Sequence, residues 1–144
     1  MLETMLRSII MTDDDKDDCE MTRLALEENK IANPFLTFPN GEELLNYLNR
    51  KDYTPPCFIL LDLNMPKMNG REALRRIKES EKLRRIPVVI LTTSKSDEDI
   101  WNSYGLGANS YITKPVKFER LVEIVKSIRN YWLGIVELPP DIET

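Results

Sequence analysis

Asp62 closes an apolar run. Cys57 to Leu61 form a short hydrophobic stretch bounded upstream by Pro55-Pro56, and the chain then turns through Leu63-Asn64-Met65-Pro66 toward Gly70. A short apolar run between turn signals reads as a buried strand. Buried parallel strands in α/β proteins present ligands at their carboxyl ends. A carboxylate at such a tip can act as a nucleophile or as a metal ligand. The plain alternative is an acid that caps the next turn.

Other runs end in the same manner. Ser8-Ile9-Ile10-Met11 leads through Thr12 into Asp13-Asp14-Asp15. Val88-Val89-Ile90-Leu91 ends in Thr92-Thr93-Ser94, and Tyr111-Ile112-Thr113 in Lys114-Pro115. Acids, hydroxyls and one lysine would then gather at the carboxyl edge of one parallel sheet. That set suits a divalent cation beside a phosphoryl group, with carboxylates on the metal and hydroxyl and ammonium on the phosphoryl oxygens.

The elements that must position these residues alternate from end to end. The patterning predicts strands over 7–12, 34–38, 57–62, 87–92 and 109–113. Helices are predicted over 16–29, 41–50, 70–80, 97–106 and 117–132. Such alternation argues an α/β fold with a parallel sheet. Several boundaries have local causes. Asn40-Gly41 breaks the chain before Glu42-Glu43, acids suited to a helix N-terminus. Ser96 before Asp97, Glu98 and Asp99 supplies a hydroxyl cap and early acids. Gly105 and Gly107 end that helix, and Pro87 precedes an apolar strand. Past Trp132, Leu133 to Thr144 is too short for another domain, and Pro139-Pro140 predicts an extended tail. Ile135, Val136 and Leu138 give that tail something to dock with.

Composition bounds the function. A chain of 144 residues is expected to form one domain with a normal core. A formal net charge of −4 gives no broad electrostatic case for nucleic acid. The local basic stretch Arg75, Arg76, Lys78, Lys82, Arg84 and Arg85 reads as a solvated face. No apolar segment approaches the ~20 residues of a membrane span, and Met1 to Arg7 lacks a secretory pattern. Cys19 and Cys57 are isolated and read as reduced thiols, so a cytoplasmic location is expected. Histidine is absent, which excludes histidine triads, histidine metal sites and a phosphohistidine formed on this chain.

An acidic pair, Asp-x-x-Met-Pro-x-x-x-Gly, a threonine after an apolar strand and then Lys-Pro, in this order over residues 7 to about 132, resemble the receiver domain of bacterial two-component response regulators. Leu91-Thr92-Thr93-Ser94, Ala108 through Val116, and Tyr131-Trp132-Leu133 with Leu138-Pro139-Pro140 are similar to the small stand-alone regulators of bacteriophytochromes. The resemblance implies a flavodoxin-like, doubly wound (βα)5 sandwich with strand order 2-1-3-4-5. The receiver would occupy 1–132 and the tail 133–144. It implies that Asp62 accepts a phosphoryl group from a histidine kinase, here of phytochrome type, or from a phosphotransfer protein, and that Mg²⁺ is the cofactor. Asp14, Asp62 and the backbone carbonyl of Asn64 would ligate the metal, with Asp13 acting through a metal-bound water. An anionic carboxylate attacking an anionic phosphoryl group needs cationic charge between them. Thr92 and Lys114 would bind phosphoryl oxygens, Lys114 aimed inward by a cis Lys-Pro peptide. Thr92 and Tyr111 would form the switch, with an ordinary half-buried strand aromatic as the alternative for Tyr111. Asn64 and Ser94 would flank the path of attacking water. Three consecutive acids could also shift the pair by one residue; the family's acidic pair directly after the first strand favours Asp13 and Asp14, and Asp15 can cap the following helix.

Rival classes fit less well. A phosphatase of the haloacid dehalogenase type wants Asp-x-Asp, but Asn64 holds the second place and cannot shuttle a proton, so a multiple-turnover enzyme is not expected. In EF-hand numbering from Asp13, the glycine position is Asp18 and the final glutamate position is Leu24. No glycine pattern matches a nucleotide loop. A phosphorylation-independent interaction module is the second functional class. Output would need a downstream protein target, since no DNA-binding or catalytic domain is expected here.

Residues 118 to 132 also predict an interface. Phe118, Leu121, Val122, Val125 and Trp132 fall on one side of a helical wheel, and Ile124, Ile128 and Tyr131 widen the apolar arc to roughly 180°, beyond the ~100° that one buried face needs. Such a flank suits a homodimer, to which the resemblance adds Trp101 and Tyr104. The alternative is that the tail folds back over the flank.

Overall fold

The computed structural model describes residues 7–141. Five parallel strands run in the order β2-β1-β3-β4-β5. They are β1 (Ile9–Thr12), β2 (Phe35–Phe38), β3 (Phe58–Leu61), β4 (Val88–Thr92) and β5 (Ser110–Thr113). The helices between and after them are α1 (Lys16–Glu28), α2 (Gly41–Leu48), α3 (Gly70–Glu79), α4 (Asp97–Gly105) and α5 (Phe118–Asn130). The expected flavodoxin-like order is therefore present.

Alternation along the strands explains the two layers. Ile10, Ile59, Leu61, Val88 and Ile90 point into one core with Leu44 and Leu48 of α2 and Leu74 and Ile77 of α3. Ile9, Met11, Phe58, Leu60, Val89 and Leu91 point into the other, with Ala25 and Leu26 of α1 and Leu121, Val125 and Ile128 of α5. Strands buried on both faces have no polar side, which is why they read as continuous apolar runs.

Short polar side chains start four of the helices. Asp15 accepts from the backbone N–H groups of Asp17 and Asp18, Asn40 from Glu43, Asn69 from Glu72 and Ser96 from Asp99. Each satisfies amide groups that the helix itself cannot. Helix α4 is the least anchored, with Ser103 its one buried residue, and it leaves Trp101 80% exposed.

Two expectations about the C-terminal region need correction. Ile128 is not on an open flank: it is 8% exposed and belongs to the α1/α5 core, with Ile124 partly buried against it. The buried face of α5 is wider than one stripe because Trp132, Leu133 and Leu138 pack on the same core, Trp132 with its ring centroid 6.3 Å from that of Phe58. Nor is the segment after Trp132 extended throughout. A π-helical turn spans Tyr131–Ile135, closed by the Val136 amide donating to the Tyr131 carbonyl. Beyond it, the buried guanidinium of Arg7 donates to the carbonyls of Pro55, Pro56 and Pro139, which ties the tail to the start of the sheet. Residues 1–6 and 142–144, the ends of the expected receiver and tail, lie outside the described residues.

Candidate functional site: an acidic pocket at the carboxyl edge of the sheet

Strand register builds the site. Thr12 pairs with Leu61 across β1 and β3, so Asp13 and Asp62 leave adjacent strand ends side by side. The Asp62 amide donates to the Thr12 carbonyl at 3.0 Å. On the other flank, Thr92 pairs with Thr113, and the Lys114 amide donates to the Thr92 carbonyl at 2.7 Å. Strand order reverses between β1 and β3, the crevice where open α/β sheets hold ligands.

Carboxylate oxygens of Asp13, Asp14 and Asp62 all lie within 4.8 Å of one another. Asp13 and Asp62 are buried and Asp14 is exposed. Asp13 Oδ1 accepts from the Asp15 amide at 2.9 Å. Lys114 Nζ stands 2.6 Å from Asp13 Oδ2, 2.6 Å from Asp18 Oδ2 and 3.2 Å from Asp62 Oδ2. The contacts to Asp18 and Asp62 are hydrogen bonds; the Asp13 approach is an ion pair set off the hydrogen-bond direction. Burial pushes the Asp13 carboxyl up to about 6, although Lys114 pulls the other way. Burial would lower the Lys114 ammonium, but its bonds to Asp13 and Asp18 outweigh that and hold it above its ordinary value. Acids this crowded around one lysine leave an excess of negative charge, which a divalent cation relieves. The donor set, all oxygen, fits Mg²⁺.

Thr92 Oγ1 is fully buried with no hydrogen-bond partner among the described residues. Buried hydroxyls are nearly always paired, so an orphan calls for an explanation; an acceptor arriving with a ligand supplies one. Tyr111, half-buried, donates through its hydroxyl to the Ser94 carbonyl at 3.0 Å. Asn64 is exposed in the loop after Asp62, its side-chain oxygen 3.5 Å from Arg71 Nη1. The expected cis Lys114–Pro115 bond is absent, since no described peptide is cis; Lys114 is aimed by its three carboxylate contacts instead.

A family model for the response regulator receiver domain matches residues 9–126. The chain belongs to that family. This receiver domain is 39% identical over 129 residues to the probable methanogenesis regulatory protein FilR2 of Methanothrix harundinacea, covering 88% of this chain and 83% of that protein. It is 37% identical over 135 residues to response regulator Rcp1 of Synechocystis sp., covering 91% and 92%. The crystal structure of the phosphorylated cyanobacterial phytochrome response regulator RcpA superposes with a TM-score of 0.87 at 39% identity, covering 94% of this chain and 99% of that one. Two-component signalling, through a histidine kinase, is thus the setting of this receiver domain.

Sequence reasoning missed two residues. Asp18 reaches Lys114 from α1. Asp99 of α4 accepts from Arg71 at 2.9 Å and from Ser94 Oγ at 2.6 Å, tying the loop after β4 to α3. Helical spacing alone makes Asp18 and Asp99 look like solvated first-turn acids; neither had a sequence signal beyond its helix-start position. Among the described residues, no helix is long and apolar enough to cross a membrane.

Proposed function

We propose that this receiver domain is a phosphorylation-dependent switch in which Asp62 takes a phosphoryl group from a phosphohistidine of a histidine kinase. The observation that carries the reading is the buried, unpartnered Thr92 hydroxyl beside a carboxylate cluster that holds a lysine. A carboxylate oxygen of Asp62 forms the new bond to phosphorus as the bond from phosphorus to the histidine nitrogen breaks and that nitrogen takes the electron pair. The product is an acyl phosphate on Asp62.

Asp13, Asp14 and Asp62 would hold Mg²⁺, with the Asn64 carbonyl as a further oxygen ligand. When bound, the cation supplies positive charge where the carboxylate meets the phosphoryl group. Lys114 gives a charge-assisted hydrogen bond to one phosphoryl oxygen and Thr92 a hydroxyl to another. Drawing Thr92 toward the phosphoryl group shifts the loop that follows it, whose Ser94 carbonyl holds Tyr111. The ring then changes position, and the surface around α4 and β5 with it. Support for the metal also comes from the Mn²⁺-bound Rcp1 structure, 36% identical with a TM-score of 0.85. Coverage of nearly the whole of Rcp1 supports a single-receiver regulator of the phytochrome-associated kind, located in the cytoplasm and passing its output to a protein target.

Homodimerisation belongs to the same reading. With Ile128 buried, the candidate contact surface is Trp101, Tyr104, Val116, Tyr131 and Ile135, all exposed. Of these, Val116 and Tyr131 line an open groove of about 700 Å³ together with Ile124 and Trp132. Acetyl phosphate or beryllofluoride binding in Mg²⁺ tests the function: wild type should bind and Asp62→Asn should not be phosphorylated. Absence of binding by wild type would favour a phosphorylation-independent interaction module.

A further inference from the structure

We propose that Asp18 is a positioning residue for Lys114, holding its ammonium at the pocket from the α1 side so that one N–H stays directed at a phosphoryl oxygen. This rests on the reading of Asp62 as the phosphoacceptor.

An ammonium has three N–H donors. In this structure Lys114 donates to Asp18 at 2.6 Å and to Asp62 at 3.2 Å, and Asp13 faces it as an ion pair at 2.6 Å. The long contact is the one on the phosphoacceptor, where a phosphoryl oxygen would take over the donor. Asp18 therefore does not compete with the phosphoryl group for the same N–H. Asp18 is also the one partner of the three that lies outside the carboxylate cluster fitted to a divalent cation. A metal drawing on Asp13 and Asp62 would weaken their hold on Lys114 and place a second cation beside it, leaving Asp18 to keep the ammonium in place.

The geometry of α1 fixes Asp18 for this task. Its amide donates to the capping carboxylate of Asp15 at 3.1 Å, and its carbonyl accepts from Thr22 Oγ1 at 2.9 Å. Lys114 has only 11% of its side chain exposed whereas Asp18 retains 39%. Asp18 thus meets Lys114 from the more solvated side and lines a small groove with Met21, Lys114, Pro115 and Val116.

A double-mutant cycle on beryllofluoride affinity in Mg²⁺ tests the proposal, using wild type, Asp18→Ala, Lys114→Ala and the double variant. Asp18→Ala should weaken binding roughly fivefold, a modest effect because Asp18 is partly solvated. In the Lys114→Ala background the same change should do nothing further, since residues acting through one contact are non-additive. Asp18→Asn, which keeps a hydrogen-bonding oxygen without the charge, should fall between and serves if the alanine variant folds poorly. Independently of any loaded state, the Lys114 ammonium resonance of the metal-free protein should move toward that of solvated lysines in Asp18→Ala. Unchanged or tighter binding in Asp18→Ala, or equal weakening with and without Lys114, would overturn the proposal while leaving Asp62 as phosphoacceptor. A wild type that bound no beryllofluoride would overturn both.

Discussion

The carbonyl oxygen of Asp62 fills the place where a side chain on Gly70 would start. A Cβ built at Gly70 meets that oxygen at 1.9 Å and the Leu63 Cα at 2.8 Å, and the Gly70 amide donates to the Leu63 carbonyl. The glycine eight residues after Asp62 therefore lets α3 start directly against the backbone of the proposed phosphoacceptor. Gly70→Ala must push backbone apart, since no flexible side chain can yield. It should cost at least about 2 kcal/mol in denaturant unfolding and weaken beryllofluoride binding. A variant as stable as wild type would contradict this packing.

Thr92→Ala should separate stability from switching. The hydroxyl it removes is buried and unpaired, so its loss removes a desolvation cost along with some packing, and stability should change by no more than about 1 kcal/mol. Beryllofluoride in Mg²⁺ should still bind, but amide shifts around Tyr111 should shrink. Equal shifts in wild type and variant would show that Tyr111 does not follow Thr92.

The placement of the candidate residues was largely legible because they obey one rule. Asp13, Asp62, Thr92 and Lys114 each stand at or just past the carboxyl end of a strand, so placing the strands nearly places the residues. Asp18 and Asp99 escaped notice because they sit in first turns, where acids are favoured for helix energetics alone. Ile128 was misplaced for a different reason. A helical wheel records which residues share a side but not what packs there, and Trp132 and Leu138 extend the core around α5.

Two charged substitutions separate the core of α5 from its surface. Ile128→Glu buries a carboxylate with no partner and should destabilise the domain by several kcal/mol, on the order of 3 or more. Tyr131→Glu sits at an exposed position and should leave unfolding nearly unchanged while shifting sedimentation toward monomer. A Tyr131→Glu protein that sediments as wild type does, with and without beryllofluoride, would remove this face from the homodimer.

Asp13 gives the metal-free domain a pH dependence of defined sign. Its carboxyl is raised from an ordinary 3.8 to about 6, chiefly by burial. Between those values the folded state binds more protons than the unfolded chain. The group's contribution to stability is therefore full below about pH 4 and lost as pH rises through about 6. Asp13→Asn cannot ionise, so its stability relative to wild type should rise with pH across this window when both are unfolded in a chelator. A difference that stayed flat from pH 4 to 7 would contradict the burial of an ionisable Asp13.

Phosphoryl transfer to Asp62 is tested most directly by intact-mass and peptide analysis after incubation with acetyl phosphate and Mg²⁺. The account predicts one added phosphoryl group, carried on the peptide containing Asp62, lost on chelation of the metal and absent in Asp62→Asn. A wild-type chain that gained no phosphoryl group, or an Asp62→Asn chain that gained it at the wild-type rate, would contradict it.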